Sequence, residues 1–135
     1  MGTIVVGYIP KAEGEAALRR AVEEAKLRDA RLVVVNSHRG GREEDYDPDQ
    51  LGPDLEEVGA ALDKAGVKHE LRQLVRGLDP AEDLIGVAEE VDADFTVIGL
   101  RRRSPVGKLI LGSNAQRVLL DAKCPVLAVK ADTAD

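Results

Sequence analysis

Two kinds of apolar pattern alternate along the chain: short β-branched runs, and stripes whose members recur every three or four residues. Thr3 to Tyr8 is the first run and predicts a buried strand. Pro10 and Gly14 break it. Glu15 to Arg28 then predicts a helix, with Ala17, Leu18, Ala21, Val22 and Ala25 on one face and Arg19, Arg20, Glu23 and Glu24 mostly opposite. Arg31 to Asn36 predicts a second buried strand, so the first two strands make a parallel βαβ unit, right-handed by strong default. Ser37 to Pro53 is the longest irregular segment, and its acidic residues read as a solvated loop.

Leu55, Val58, Leu62 and Ala65 are spaced as one helical face, with Gly66 where a left-handed C-terminal residue belongs. His69 to Val75 predicts a strand whose mixed polarity suits a sheet edge. Gly77-Leu-Asp-Pro introduces a third helix: Asp79 can cap it, Pro80 fits its first position, and Glu82 completes a capping box. Leu84, Ile85, Ala88 and Val91 are its apolar face. Phe95 to Ile98 predicts the fourth strand and Asn114 to Ala122 the fourth helix. Pro125 to Lys130 predicts the fifth strand. The succession βαβαβαβαβ over 135 residues is that of one α/β domain, a doubly wound, Rossmann-like parallel sheet. In such sheets ligands bind beyond the carboxyl ends of the strands, where the strand order reverses. In both the flavodoxin-like order and the related 3-2-1-4-5 order, that reversal lies beside the first strand.

Composition narrows the picture. Hydrophobic residues make up 44% and aromatic residues 2%, so the core must be built from Val, Leu, Ile and Ala. A net charge of −6 argues against a general nucleic-acid binder. Cys124 is the only cysteine, which excludes an intramolecular disulfide and fits a reducing compartment. The N-terminus shows no basic n-region or long apolar segment, and no run approaches a membrane span. A soluble, cytoplasmic protein with no membrane or nucleic-acid partner is expected.

Against the acidic background, the stretch from Val97 to Leu120 stands out. An apolar run ends at Gly99, Arg101, Arg102 and Arg103 follow, and Gly112-Ser113 leads into a helix. Strand, basic loop and helix start in that order suit an anion, because the first N–H groups of a helix have no partner within it and the helix dipole is positive there. A dinucleotide-type G-x-G-x-x-G is absent after every strand. A Walker A loop fails twice, since Arg102 replaces its first glycine and Leu109 its hydroxyl.

Gly99 and Gly112-Ser113 are spaced as in G-x2-G-x9-G-[ST], and this resembles the universal stress protein family. The likeness also includes Gly77-Leu-Asp-Pro, Ala93-Asp-Phe-Thr-Val-Ile-Gly99, Gly107-Lys-Leu-Ile-Leu-Gly-Ser113 and Cys124-Pro-Val. It extends across nearly the whole chain. The resemblance implies a five-stranded sheet of order 3-2-1-4-5 that binds an adenine nucleotide, ATP or AMP, after strands 1 and 4. Carried over by position, Gly99, Gly112, Ser113 and Asn114 lie on the phosphate side, and Pro10 with the backbone around Ser37 on the adenine side.

Two departures from the family pattern stand beside this. Arg102 occupies the position of the middle glycine, where it could offer a charged fork to phosphate in place of close backbone approach. Ile9-Pro10-Lys11 replaces the usual Asp-Gly-Ser, so the acid that could contact ribose or help hold Mg is missing. Two readings therefore remain open: a nucleotide-binding regulatory protein of the stress response, or a dimeric interaction module whose nucleotide site is degenerate. Ser113 is ambiguous in the same way, because with Gln116 it also forms an S-x-x-Q capping box. Arg101 and Arg102 count toward the site because they cluster on it. Lys108, His38 and His69 read as surface residues and Cys124 as a packed one. No pair of residues stands out as general acid and base, so no enzymatic activity beyond slow, incidental ATP hydrolysis is expected. The apolar edge strand Pro125 to Lys130 invites pairing with a second copy, and the resemblance likewise implies a homodimer.

Overall fold

The computed structural model describes residues 2–37, 53–74, 79–100 and 112–131. Among these, strands β1 (Thr3–Gly7), β2 (Arg31–Ser37), β3 (His69–Leu74), β4 (Phe95–Leu100) and β5 (Val126–Lys130) alternate with helices α1 (Ala12–Arg28), α2 (Pro53–Ala65), α3 (Pro80–Glu90) and α4 (Ser113–Asp121). The strands form a five-stranded sheet of order β3-β2-β1-β4-β5 in which every neighbouring pair is parallel.

Side chains alternate across each strand, which divides the apolar residues between two cores. Ile4, Val6, Tyr8, Leu32 and Val34 pack under α1 and α2 with Ala17, Ala21, Leu55 and Leu62. Val5, Val33, Val35 and Ile98 pack under α3 and α4 with Leu84, Val87 and Val118. Ile4, Val5, Val6, Leu32, Val33 and Val34 have no exposed surface. Burying each stabilises the fold by roughly 1.5–3 kcal/mol, and covering both faces is why β1 and β2 read as unbroken apolar runs.

Three helix-to-strand joints share one device. α1 is followed by Asp29 (φ 51), α2 by Gly66 (φ 72), and Val91 after α3 by Asp92 (φ 53), each in the left-handed region. In each case the next residue's N–H bonds to the carbonyl five residues back: Ala30 to Ala25, Val67 to Leu62 and Ala93 to Ala88. This Schellman arrangement satisfies helix-terminal carbonyls and turns the chain back toward the sheet.

Several boundaries differ from the sequence pattern. α1 starts at Ala12 rather than Glu15, and Gly14 lies buried inside it rather than ending a break. A β-carbon on Gly14 would fall 1.9 Å from the Ile9 carbonyl oxygen, so glycine lets the first helical turn close onto the residues after β1. β4 runs past Ile98 to Leu100 because β5 continues beside it, pairing Gly99 with Val129 and Leu100 with Lys130. His69 is not a surface residue: its side chain is 15% exposed, with Nδ1 2.9 Å from the Val67 carbonyl oxygen. Cys124 is half-buried, its sulfur 3.3 Å from Thr96 Oγ1. His38 and Lys108 lie outside the described residues. Among those described, no helix is long and apolar enough to cross a membrane.

Candidate functional site

The chain winds outward from β1 to β2 and β3 on one side and from β4 to β5 on the other, so the C-terminal ends of β1 and β4 open a crevice between them. A cleft of about 200 Å³ lies there. Gly7, Tyr8 and Ile9 line it from β1 and its turn, Val35 and Ser37 from β2, and Ile98 and Gly99 from β4. Glu13 and Gly14 of α1 approach from one helix layer. Pro80, Ala81 and Leu84 of α3 and Asn114, Ala115 and Val118 of α4 come from the other.

The turn after β1 is clamped by hydrogen bonds. The Tyr8 N–H donates to the Val35 carbonyl at 2.9 Å, Asn36 Nδ2 donates to the Tyr8 carbonyl at 3.0 Å, and the Lys11 N–H donates to the Ile9 carbonyl at 2.8 Å. Gly99 is the point where β4 passes the first turn of α1. A β-carbon there would lie 1.9 Å from the Glu13 carbonyl oxygen, so backbone packs on backbone at one wall of the cleft. The turn and this contact make the β1 side rigid.

The start of α4 is built differently. Its first intrahelical bond runs from the Gln116 N–H to the Gly112 carbonyl at 3.0 Å, which leaves the amides of Ser113, Asn114 and Ala115 without helical partners. Gly112 is the N-cap residue and makes no side-chain cap bond, so the capping box expected of Ser113 and Gln116 is not formed. Ser113 sits one position too far along, as the first helical residue, for its hydroxyl to serve as the cap. Gly112 has φ −69, and no atom of the described residues lies within 4 Å of a β-carbon placed on it, so among the described residues neither backbone strain nor packing calls for glycine there.

On the β2 side, Ser37 Oγ donates to Asp83 Oδ2 at 2.5 Å. Asp83, on the first turn of α3, is 4% exposed, and its Oδ1 is buried with no hydrogen-bond partner among the described residues. Among the described residues that line the cleft, Glu13 is the one acidic or basic side chain, and its Oε2 is likewise buried with no partner among the described residues. Arg117 holds α3 against α4 through Asp79 at 3.1 Å, Glu82 at 2.5 Å and Asp121 at 3.7 Å. Asp79 caps α3 in position, with Pro80 following, but the two carboxylates expected to form a capping box are turned to Arg117 instead. Ion pairing across two helices engages them where a local cap would have used only one helix. Among the described residues no group of three His, Cys, Asp or Glu side chains could hold a metal ion.

The residues singled out from sequence fall into three sets. Ser37, Gly99 and Asn114 line the cleft. Gly112 and Ser113 are exposed at the helix start beside Asn114, and Pro10 is exposed next to Ile9, which lines the cleft. Arg101 and Arg102 lie outside the described residues. Sequence reasoning missed Glu13, Tyr8 and Asp83. Asp83 carried a usable signal, because it sits four residues before Val87 on a stripe that is otherwise apolar.

Comparison with known proteins points the same way. Residues 1–130 match the model of the universal stress protein family. The chain is 46% identical over 127 residues to a universal stress protein of Mycolicibacterium smegmatis, covering 94% of this chain and 96% of that one. Among solved structures, a universal stress protein from Archaeoglobus fulgidus superposes with a TM-score of 0.79 at 41% identity, over 96% of this chain and 99% of that one. A universal stress protein from the same organism, solved in complex with dAMP, has a TM-score of 0.65 at 34% identity, over 96% and 98%.

Proposed function

The chain belongs to the universal stress protein family, and from that premise we propose that it binds an adenine nucleotide, AMP or ATP, in the crevice after β1 and β4 and serves as a cytoplasmic regulator of a stress response. The observation that carries this is the apolar cleft at the switch point, bounded at one end by the uncapped start of α4. An anionic group placed there meets three backbone N–H groups that have no helical partner and the positive end of a helix dipole. The base has the apolar length of the cleft, from Leu84 and Ile98 to Ser37. On this reading Gly99, Gly112, Ser113 and Asn114 serve the phosphate side together with Arg101 and Arg102, and Pro10 and Ser37 the base side. The dAMP bound by the Archaeoglobus relative is the same class of ligand. On this reading any hydrolysis of ATP is slow and incidental.

A second reading, a dimeric module with a degenerate site, is favoured by one observation. Glu13 brings to the cleft a buried carboxylate oxygen with no partner among the described residues, where it would oppose a phosphate. Both readings include a homodimer through β5. The two sheet edges differ: β3 carries Glu70, Arg72 and Gln73, whereas β5 is Val-Leu-Ala-Val before Lys130. Charged edges resist pairing, and apolar ones invite it.

Calorimetric titration with AMP, ATP and cyclic AMP separates the two. The proposal expects saturable heat with one site per chain for at least one of them. Absence of heat with all three, at ligand concentrations far above those of the protein, would reject it in favour of the interaction module.

A further inference from the structure

Helix α4 has a thin hold on the sheet. Among the described residues, Val118 is its one buried side chain, and the helix leans on α3 more than on any strand. α3 is anchored on its own account, with Ala81, Leu84, Val87 and Ala88 buried. Pro80, Ala81 and Leu84 of α3 form one wall of the cleft, and Asn114, Ala115 and Val118 of α4 another. The spacing of these two walls therefore depends on what ties α4 to α3.

At the cleft end that tie is Arg117. It follows Ser113 by about one helical turn, so it sits just behind the three amides without helical partners. Its Nη1 donates to Asp79 Oδ2 at 3.1 Å and its Nη2 to Glu82 Oε1 at 2.5 Å, so both branches of the guanidinium cross to the start of α3. A planar fork held by two acceptors fixes direction as well as distance, which a single ammonium does not. A second tie, Lys123 to Glu89 at 2.9 Å, lies past the far end of α4.

We propose that Arg117 is a positioning residue: by holding α4 to Asp79 and Glu82 it sets where the amides of Ser113, Asn114 and Ala115 stand relative to the α3 wall, and so how well the cleft takes a phosphate. The inference rests on the nucleotide reading above and adds to it the residue that keeps the anion end in place. Arg117 is not among the described residues that line the cleft, and it acts through the backbone of α4. Amides already held in position bind an anion better than amides that must be ordered as it arrives.

The experiment compares AMP with adenosine, which lacks the phosphate, by calorimetric titration of the wild type, Arg117→Met and Asp79→Ser/Glu82→Met at one salt concentration. The ratio of the two affinities reports on the anion end alone. For the wild type the expected preference for AMP is about tenfold or more, equivalent to roughly 1.4 kcal/mol. Arg117→Met should cut that ratio about fivefold, or roughly 1 kcal/mol, with adenosine nearly unchanged. The double variant is a test of sign. It keeps the charge of Arg117 and a good N-cap residue on α3, but removes both acids that hold the arginine. Loss of two negative charges would by itself strengthen phosphate binding, whereas loss of position weakens it. The expected result is a ratio lowered as in Arg117→Met. A ratio unchanged or raised in the double variant overturns the inference, even if Arg117→Met fails to fold. Equal weakening of AMP and adenosine marks a general loosening of the fold and overturns it too. If the wild type binds AMP no better than adenosine, this inference fails while the nucleotide reading stands. If it binds neither, the nucleotide reading fails and this inference goes with it.

Discussion

The carbonyl oxygen of Glu13 stands 1.9 Å from the place a β-carbon on Gly99 would occupy. Gly99 is therefore a packing residue as well as a cleft residue. The clash is with helix backbone, which cannot swing aside as a side chain could. Gly99→Ala should lower stability by at least about 2 kcal/mol, the scale of overpacking against a rigid neighbour. Urea unfolding monitored by circular dichroism measures it, and a loss under 0.5 kcal/mol, the range of ordinary surface changes, would contradict the contact.

Gly112 should behave in the opposite way. A β-carbon there meets no atom of the described residues within 4 Å, and φ −69 suits any residue. Serine is a slightly better N-cap than glycine, so Gly112→Ser should hold stability or raise it by a few tenths of a kcal/mol. If a phosphate uses this backbone, the same change should weaken AMP binding about tenfold, near 1.4 kcal/mol. Unchanged affinity would show that the glycine is not kept open for a ligand.

The β5 edge offers a clean test of dimerisation. Pro125's carbonyl accepts from the Thr96 N–H, and the Ala131 N–H donates to the Leu100 carbonyl. Residues 125, 127, 129 and 131 thus turn their backbone groups inward to β4, and by alternation Val126, Ala128 and Lys130 turn theirs to the open edge. Ala128→Pro deletes an outward donor and spares the ladder to β4, a position where a strand tolerates proline. The expected product is a folded monomer by size-exclusion chromatography with light scattering. A folded Ala128→Pro dimer would move the interface elsewhere.

Arg117 is about 40% exposed in its side chain and faces Asp79, Glu82 and Asp121. Single exposed pairs contribute little, but removal of this hub leaves three acids together. Arg117→Met should cost about 1 kcal/mol in dilute buffer. The deficit should shrink in about 1 M salt, where the screening length is only roughly 3 Å. A salt-independent loss would assign the effect to packing of the arginine stem instead.

The β1 and β2 runs, the edge character of β3 and the Gly66 turn could all be read from the sequence, because each follows from local periodicity or a single conformational demand. The site was legible in part. Ser37, Gly99 and Asn114 were implied by the family resemblance, carried over by position, and the cleft does gather them. What local pattern cannot show is which partner a polar side chain will choose across space. Asp79 and Glu82 read as a cap for their own helix, yet they face Arg117, 35 or more residues away in sequence. Gly14 read as a breaker because its reason for being glycine, the Ile9 carbonyl, exists only once the turn has folded. Asp83 was passed over, and the packing of α3 on β2 buries it against Ser37.

The three left-handed joints at Asp29, Gly66 and Asp92 lie where helices hand the chain to the first residues of β2, β3 and β4, at the pole opposite the cleft. Aspartate accepts that backbone less readily than glycine does, so Asp29→Gly and Asp92→Gly could each release a few tenths to about 1 kcal/mol of held-back stability. Stability held back at these joints can thus be released, by drift or by design, at the end of the sheet away from the cleft.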